Sequence, residues 1–332
     1  MQQLILAVLL GFVVTLALGP LVIPMLKRLK FGQTERDDGP QSHLVKTGTP
    51  TMGGMMMLAG ILAGTLSFTM GSMEFALPAL LVTFAYGLVG FLDDFIKVKL
   101  KRSLGLKAYQ KIIGQFGIAL IVALYAYNTP NIGSRILLPF SGTEWDLGIY
   151  YIPFIMFVII GTVNSVNLTD GLDGLASSVT LIYSLAMILI FSVMSAGALE
   201  QGRNQFSANL QGMCVFCASV VGACLGFLRY NSYPARVFMG DTGSLALGGA
   251  VAMMAIFSRA LLLLPIMGGC FVASAVSVIL QVGSYKLRKK RIFRMAPLHH
   301  HFELKGVPET KIVAMYMIVT VVLCLICLLA YV

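Results

Sequence analysis

The stretch Asn164-Ser-Val-Asn167-Leu-Thr-Asp170-Gly-Leu-Asp173-Gly174 follows a run, Ile152–Val163, that carries no charge. Four polar residues, Asn164, Asn167, Asp170 and Asp173, recur at every third position. On a helix such residues lie on adjacent turns of one face, which predicts a polar stripe at the end of an apolar rod. Gly171 and Gly174 would let backbone approach a ligand closely. A carboxylate at a bilayer centre costs at least ~2.5–3.5 kcal/mol, so these acids belong at a helix end or facing protein. The plainer alternative is a helix–turn–helix connector with Asp173 as N-cap of the next helix. A connector needs one capping oxygen, however, and four spaced polar side chains exceed that need.

The rest of the chain has the composition of a membrane protein: 332 residues, 58% hydrophobic and 11% charged. At ~20 residues per span this length allows about ten crossings and leaves no room for a soluble domain. The expected fold is a single all-α polytopic membrane domain over residues 1–332. Apolar runs place the spans near 3–26, 51–70, 75–96, 108–127, 151–168, 174–195, 209–228, 241–258, 261–285 and 312–332. Leu4–Leu26 is too long for a signal-peptide core and is followed, not preceded, by basic residues, so it reads as a retained first span. Loops 27–50, 97–111, 229–240 and 286–311 carry five, six, two and eight basic residues, which is 21 of the chain's 24. By the positive-inside rule these loops face the cytoplasm and both termini lie outside. The same asymmetry accounts for most of the net charge of +10, which is therefore not read as nucleic-acid binding. Between residues 128 and 150, Arg135-Ile-Leu-Leu-Pro-Phe and Trp145-Asp-Leu-Gly-Ile flank Ser141-Gly142, predicting a small β-hairpin on the outer face. All six cysteines fall inside apolar runs, where they read as packing residues; the two CxxC spacings have no nearby His or carboxylate to complete a zinc site.

The remaining unusual polar residues gather on the same predicted side. Asp93-Asp94 ends the third span, and Asp241 opens the eighth within Phe238-Met-Gly-Asp-Thr-Gly-Ser244. His299-His300-His301 lies in the last inner loop, Lys46 just before the second span and Asn231 just after the seventh. Each has a plainer reading: Asp93 and Asp94 as helix-end partners of Lys97, Asp241 as a cap, the histidines as a solvated turn. Together they suit a phosphate-rich substrate. Several Asp residues without a Cys/His cage fit Mg²⁺, which is held by one or two carboxylates and the substrate's own phosphates. Gly240-Asp-Thr-Gly-Ser at a helix start is expected to offer free N–H groups to an anion. Phe238 is placed to stack on a nucleobase. No GxxxxGK[ST] stretch occurs, so the chain does not read as a P-loop ATPase.

Asp93-Asp94, Asn164–Gly174, Phe238–Ser244 and Pro297-Leu-His-His-His-Phe-Glu303 resemble, in order, the signatures of the phospho-N-acetylmuramoyl-pentapeptide transferases. These belong to the polyprenyl-phosphate N-acetylhexosamine-1-phosphate transferase superfamily. The resemblance runs over nearly the whole chain. It implies an inner-membrane enzyme of bacteria whose site faces the cytoplasm on loops 27–50, 93–111, 164–174, 229–244 and 286–311. It implies transfer from UDP-N-acetylmuramoyl-pentapeptide to undecaprenyl phosphate, giving lipid I and UMP. By the same resemblance Asp241 is the expected Mg²⁺ ligand, with Asp93 and Asp94 on the lipid-phosphate side. Gly171, Leu172, Asp173 and Phe238 are expected to form the uridine pocket, which uridine-containing nucleoside inhibitors would share. Lys46, Asn231, Gln281, His300 and His301 are expected at the donor or its diphosphate. Asn164, Asn167, Asp170 and His299 complete the expected substrate-binding set. A homodimer is left open. Two rivals remain at this level: the sister enzyme that transfers N-acetylglucosamine-1-phosphate, which differs in the His-containing loop, and a secondary transporter, which would place its polar residues near mid-membrane in repeated halves.

Overall fold

The structure, a computed structural model, describes residues 1–29, 48–69, 71, 73–99 and 105–331. Helices α1 (Gln2–Arg28), α2 (Gly54–Phe68), α3 (Ala76–Lys99) and α4 (Ala108–Asn128) lead to a two-stranded sheet, β1 (Arg135–Leu137) and β2 (Glu144–Asp146). After it come α5 (Tyr151–Thr169), α6 (Leu175–Glu200), α7 (Asn204–Asn231) and α8 (Gly240–Phe257). The chain ends with α9 (Leu264–Met267), α10 (Gly269–Arg288), α11 (Leu298–Glu303) and α12 (Glu309–Leu328). Among the described residues nine helices are long and apolar enough to cross a membrane. They match nine of the expected spans, with the ninth expected span split into the single turn α9 and the long α10.

The remaining expected span, 51–70, differs in kind. Its helix α2 has 15 residues, or ~22 Å at ~1.5 Å per residue, against a hydrocarbon core of ~30 Å. Residues 50–53 run instead as irregular backbone against the segment before α8. Phe238 N donates to Pro50 O (2.8 Å), Gly53 N to Phe238 O (2.9 Å) and Gly54 N to Met239 O (3.0 Å). Non-helical backbone is tolerated at membrane depth where protein satisfies its polar groups, and here it does.

α7 and α8 form the enclosed centre. α7 packs on α1, α2 and α6, while α8 packs on α3, α5 and α2. Small residues permit this closeness: a Cβ on Gly222 of α7 would strike the backbone of Val8 in α1. The hairpin appears as expected, in antiparallel register Arg135↔Asp146, Ile136↔Trp145 and Leu137↔Glu144. All six cysteines are buried thiols.

Candidate active site

At the bundle end opposite the hairpin, the C-terminal part of α3, from Gly90 to Lys97, meets the first turn of α8. Gly90 makes the approach possible, because a Cβ there would strike the Asp241 carbonyl and the Thr242 nitrogen. The contact brings one carboxylate oxygen each of Asp93, Asp94 and Asp241 within 4.8 Å of one another.

Each acid is held differently. Asp94 is buried and serves as the cap that α8 lacks in its own sequence. Its Oδ1 accepts from Asp241 N (3.2 Å), and its Oδ2 from Thr242 N (2.9 Å) and Thr242 Oγ1 (2.7 Å). The α8 N–H groups expected to await a substrate anion are thus already satisfied by a carboxylate from another helix. Asp93 accepts from Leu106 N (2.8 Å) and pairs with Lys97 Nζ (2.6 Å). Asp241 accepts from Lys97 Nζ (2.8 Å), Lys111 Nζ (2.9 Å) and Asn167 Nδ2 (2.7 Å). The expected local pairing of Lys97 with Asp93 and Asp94 is present, at 2.6 and 3.8 Å, but the same ammonium also bridges to Asp241. Lys97 therefore stands where a cation would bind all three acids.

With three carboxylates and two ammoniums the cluster carries a formal net charge of −1, and its oxygens converge on a point already shown to accept a cation. A hard divalent ion fits such an all-oxygen set, with Asp93, Asp94 and Asp241 to hold it.

The polar stripe is only half a stripe. α5 ends at Thr169, so Asn164 and Asn167 share its face while Asp170 and Asp173 lie on the turn beyond. Asn167 reaches Asp241 and Ser244 Oγ (2.7 Å). Asn164 sits one turn deeper, donating to Gln115 Oε1 (2.8 Å). Asp170 is half-buried at the helix end. Burial, then the charges of Asp241, Asp94 and Asp173, push its carboxyl well above the usual range.

The turn 170–174 forms a second cluster, clamped from three sides. Asp173 is not the N-cap of α6; that position is Gly174, at φ 77°. Asp173 Oδ2 instead accepts from Ala235 N (2.9 Å), and its own N–H donates to Glu309 Oε1 (2.5 Å). Asn231 accepts from Gly174 N (3.0 Å) and donates to Val237 O (2.9 Å), so its amide braces the turn against the segment leading to Phe238. Gly171 lies over His299 and His300, whose imidazoles would collide with a Cβ. Leu172 is buried, and Phe238 is half-buried beside the braced segment.

The histidines are fixed on α11, whose N-cap is Pro297. His300 Nδ1 lies 3.1 Å from Glu303 Oε2. His301 Nδ1 accepts from Arg294 N (3.1 Å), and desolvation with the charges of Lys305 and Arg294 lowers its pKa. Gln281 lies apart from the acids: its Oε1 accepts from Ile292 N and Phe293 N and its Nε2 donates to Phe293 O, each at 2.9 Å. It staples the loop after α10. Lys46 lies outside the described residues. From the sequence, Lys97 is a local partner of Asp93 and Asp94 and, with Lys111, one of the basic residues of the inner loop 97–111; the side chains of Thr242, Ser244, Gln115 and Glu309 have no expected role. The i, i+4 spacing of Asp93 and Lys97 was the one local signal among these.

Residues 76–259, from α3 to just past α8, match the Glycosyl transferase family 4. Relatives from Alkaliphilus metalliredigens, Clostridioides difficile and Alkaliphilus oremlandii, each named a phospho-N-acetylmuramoyl-pentapeptide-transferase, are 52%, 51% and 54% identical to this chain. These matches cover 99%, 97% and 98% of this chain and 98%, 96% and 97% of theirs. The chain belongs to the phospho-N-acetylmuramoyl-pentapeptide-transferase family. In this transferase the acid cluster and the 164–174 turn lie inside the Glycosyl transferase family 4 match, whereas the α11 histidines lie beyond its end at residue 259.

Proposed function

We propose that the protein transfers phospho-N-acetylmuramoyl-pentapeptide from its UDP donor to undecaprenyl phosphate, giving lipid I and UMP, the first membrane step of peptidoglycan synthesis. The observation that carries this is the near-full-length identity, 52% over 99% of the chain, to a relative of that name. In the reaction, a lipid-phosphate oxygen attacks the sugar-bearing phosphorus of the donor. The bond from that phosphorus to the bridging oxygen breaks, and UMP leaves with the electron pair. One phosphoanhydride replaces another, so no ATP is consumed.

Direct attack is favoured over a covalent aspartyl intermediate. The lipid phosphate is already anionic, and transfer of this kind runs on alignment and charge neutralisation. Asp93, Asp94 and Asp241 would hold Mg²⁺, which when bound offsets the negative charge of the diphosphate. Lys111 and Lys97 add positive charge at the same place, Lys97 shifting from the centre of the acids toward the phosphates. Asn167 and Thr242 keep Asp241 and Asp94 oriented. Phe238 stacks on uracil, with Gly171, Leu172 and Asp173 around the uridine, where uridine-containing nucleoside inhibitors would compete. Asp170, Asn164, Asn231 and His299 support this pocket, and Lys46 and Gln281 are assigned to contacts with the donor or its diphosphate.

His300 and His301 face the donor's sugar and diphosphate. Because α11 lies outside the segment shared across Glycosyl transferase family 4, the loop 286–311 is the candidate for recognising the lactyl-peptide arm. Its basic residues would attract the carboxylates of the pentapeptide. The basic loops support a site on the cytoplasmic side of a bacterial inner membrane, and a homodimer is compatible with one site per chain. The test is conversion of a labelled pentapeptide donor, with undecaprenyl phosphate and Mg²⁺, into a lipid-extractable product with equimolar UMP. Chelation should stop it and Mg²⁺ restore it. UMP without a lipid-linked product would overturn the reading.

A further inference from the structure

The outer hairpin lies at the bundle end opposite the acid cluster, and its faces are sorted. Residues directly opposite in an antiparallel pair project to the same face, and neighbours along a strand alternate. The register therefore sets Ile136 and Trp145 on one face, and Arg135, Asp146, Leu137 and Glu144 on the other. Ile136 is 1% exposed, so the first face is turned onto the helix bundle. Trp145 shares that face but is 56% exposed. Its ring is therefore left largely uncovered by the bundle.

This orientation is fixed. Leu137 N donates to Arg259 O (3.1 Å) just past the end of α8, and Arg259 Nη2 pairs with Glu144 Oε2 at 2.9 Å. Ser134 Oγ donates to Asp146 Oδ1 (2.6 Å), and Leu147 N to Ser134 O (3.0 Å), closing the base of the hairpin. The apolar surface also continues into the bundle. Ile149 and Tyr150 are exposed just before α5, and Phe157, two turns along and on the same side as Tyr150, is 75% exposed. Tyr150 and Phe157 are ~10 Å apart along the axis at ~1.5 Å per residue, so the stripe runs from the helix end into the span.

We propose that the hairpin's Trp145 face is a lipid-contacting surface, seated at the headgroup boundary of the leaflet opposite the acid cluster and continuous with the lipid-facing side of α5. Trp and Tyr favour that level because an amphipathic ring meets both apolar chains and polar headgroups there. The charged face of the hairpin then lies toward water.

Trp145 is the only tryptophan in the chain, so its fluorescence reports this surface directly. The full-length protein is reconstituted into liposomes containing lipids brominated either near the ester end or near the chain end of the acyl groups. Ester-end bromines should quench Trp145 about twofold more than chain-end bromines, as a residue at headgroup level requires. External iodide should quench it far less than it quenches free tryptophan amide. The double variant Trp145→Phe, Phe157→Trp should reverse the order, with chain-end bromines the stronger. Three results would each overturn the proposal: iodide quenching equal to that of the free amide, no quenching by iodide or by either lipid (a face covered by protein, such as a second copy), or identical lipid profiles for Trp145 and the Phe157→Trp variant.

Discussion

Thr242→Val changes a hydroxyl to a methyl in a side chain of the same shape. Three hydrogen bonds hold the Asp94 carboxylate: Asp241 N at 3.2 Å, Thr242 N at 2.9 Å and Thr242 Oγ1 at 2.7 Å. The substitution removes only the shortest. A hydrogen bond to a charged group contributes ~1.5–3 kcal/mol, and each ~1.4 kcal/mol in a barrier is tenfold in rate. If Asp94 must be held against α8 for transfer, turnover at saturating substrates should fall about 10- to 100-fold, with the donor KM nearly unchanged. Thr242→Ser keeps the hydroxyl and should retain most of the rate. The assay is UMP release by purified protein, with detergent melting curves to show that both variants fold. A valine variant within about twofold of wild type, or a serine variant as slow as valine, would refute the positioning argument.

Further substitutions probe the other groups. Lys111→Met removes the 2.9 Å contact to Asp241 and should lower turnover about tenfold or more, by loss of a charge-assisted hydrogen bond, while Lys107→Met on the exposed face should leave it unchanged. Glu309→Ala frees the Asp173 N–H and should raise the donor KM about five- to tenfold; Glu309→Gln retains an acceptor and should restore most of it, and equal KM values for both variants and wild type would show that the contact does not position the turn. Phe238→Ala should weaken UMP binding by ~1–3 kcal/mol if the ring stacks on the base, as read by calorimetry, with Phe238→Trp close to wild type.

Much of the architecture was legible because lipid imposes simple rules. Long uncharged runs marked the spans, loop lysines and arginines marked one side, and Ser141-Gly142 between β-prone runs marked the hairpin. The acids at the ends of α3 and α8 could be foreseen as neighbours for the same reason, since carboxylates avoid the membrane interior. What each side chain does was less legible. Asp94 caps a helix 147 residues further along, and Asp173 is tied to Ala235 and Glu309 and not to its own helix. Such partners are chosen by tertiary packing, and no local spacing announces them. The length of α2 was misjudged because Thr51-Met-Gly is apolar enough to look helical, while its backbone pairs with residues 238–239. Lys97 and Lys111 are basic residues near a membrane surface like their neighbours, and only the approach of α4 and α8 separates them from charges that serve topology alone.

Donor choice tests the central claim most directly. The uridine, the diphosphate and the divalent ion are common to UDP-N-acetylmuramoyl-pentapeptide and UDP-N-acetylglucosamine, so the acid cluster and Phe238 cannot tell these donors apart. UMP release should be measured with each donor at matched concentration, with undecaprenyl phosphate and Mg²⁺. The account predicts rapid release with the muramoyl-pentapeptide donor and none above background with UDP-N-acetylglucosamine. Comparable rates with the two would contradict it and assign the chain the chemistry of the sister enzyme.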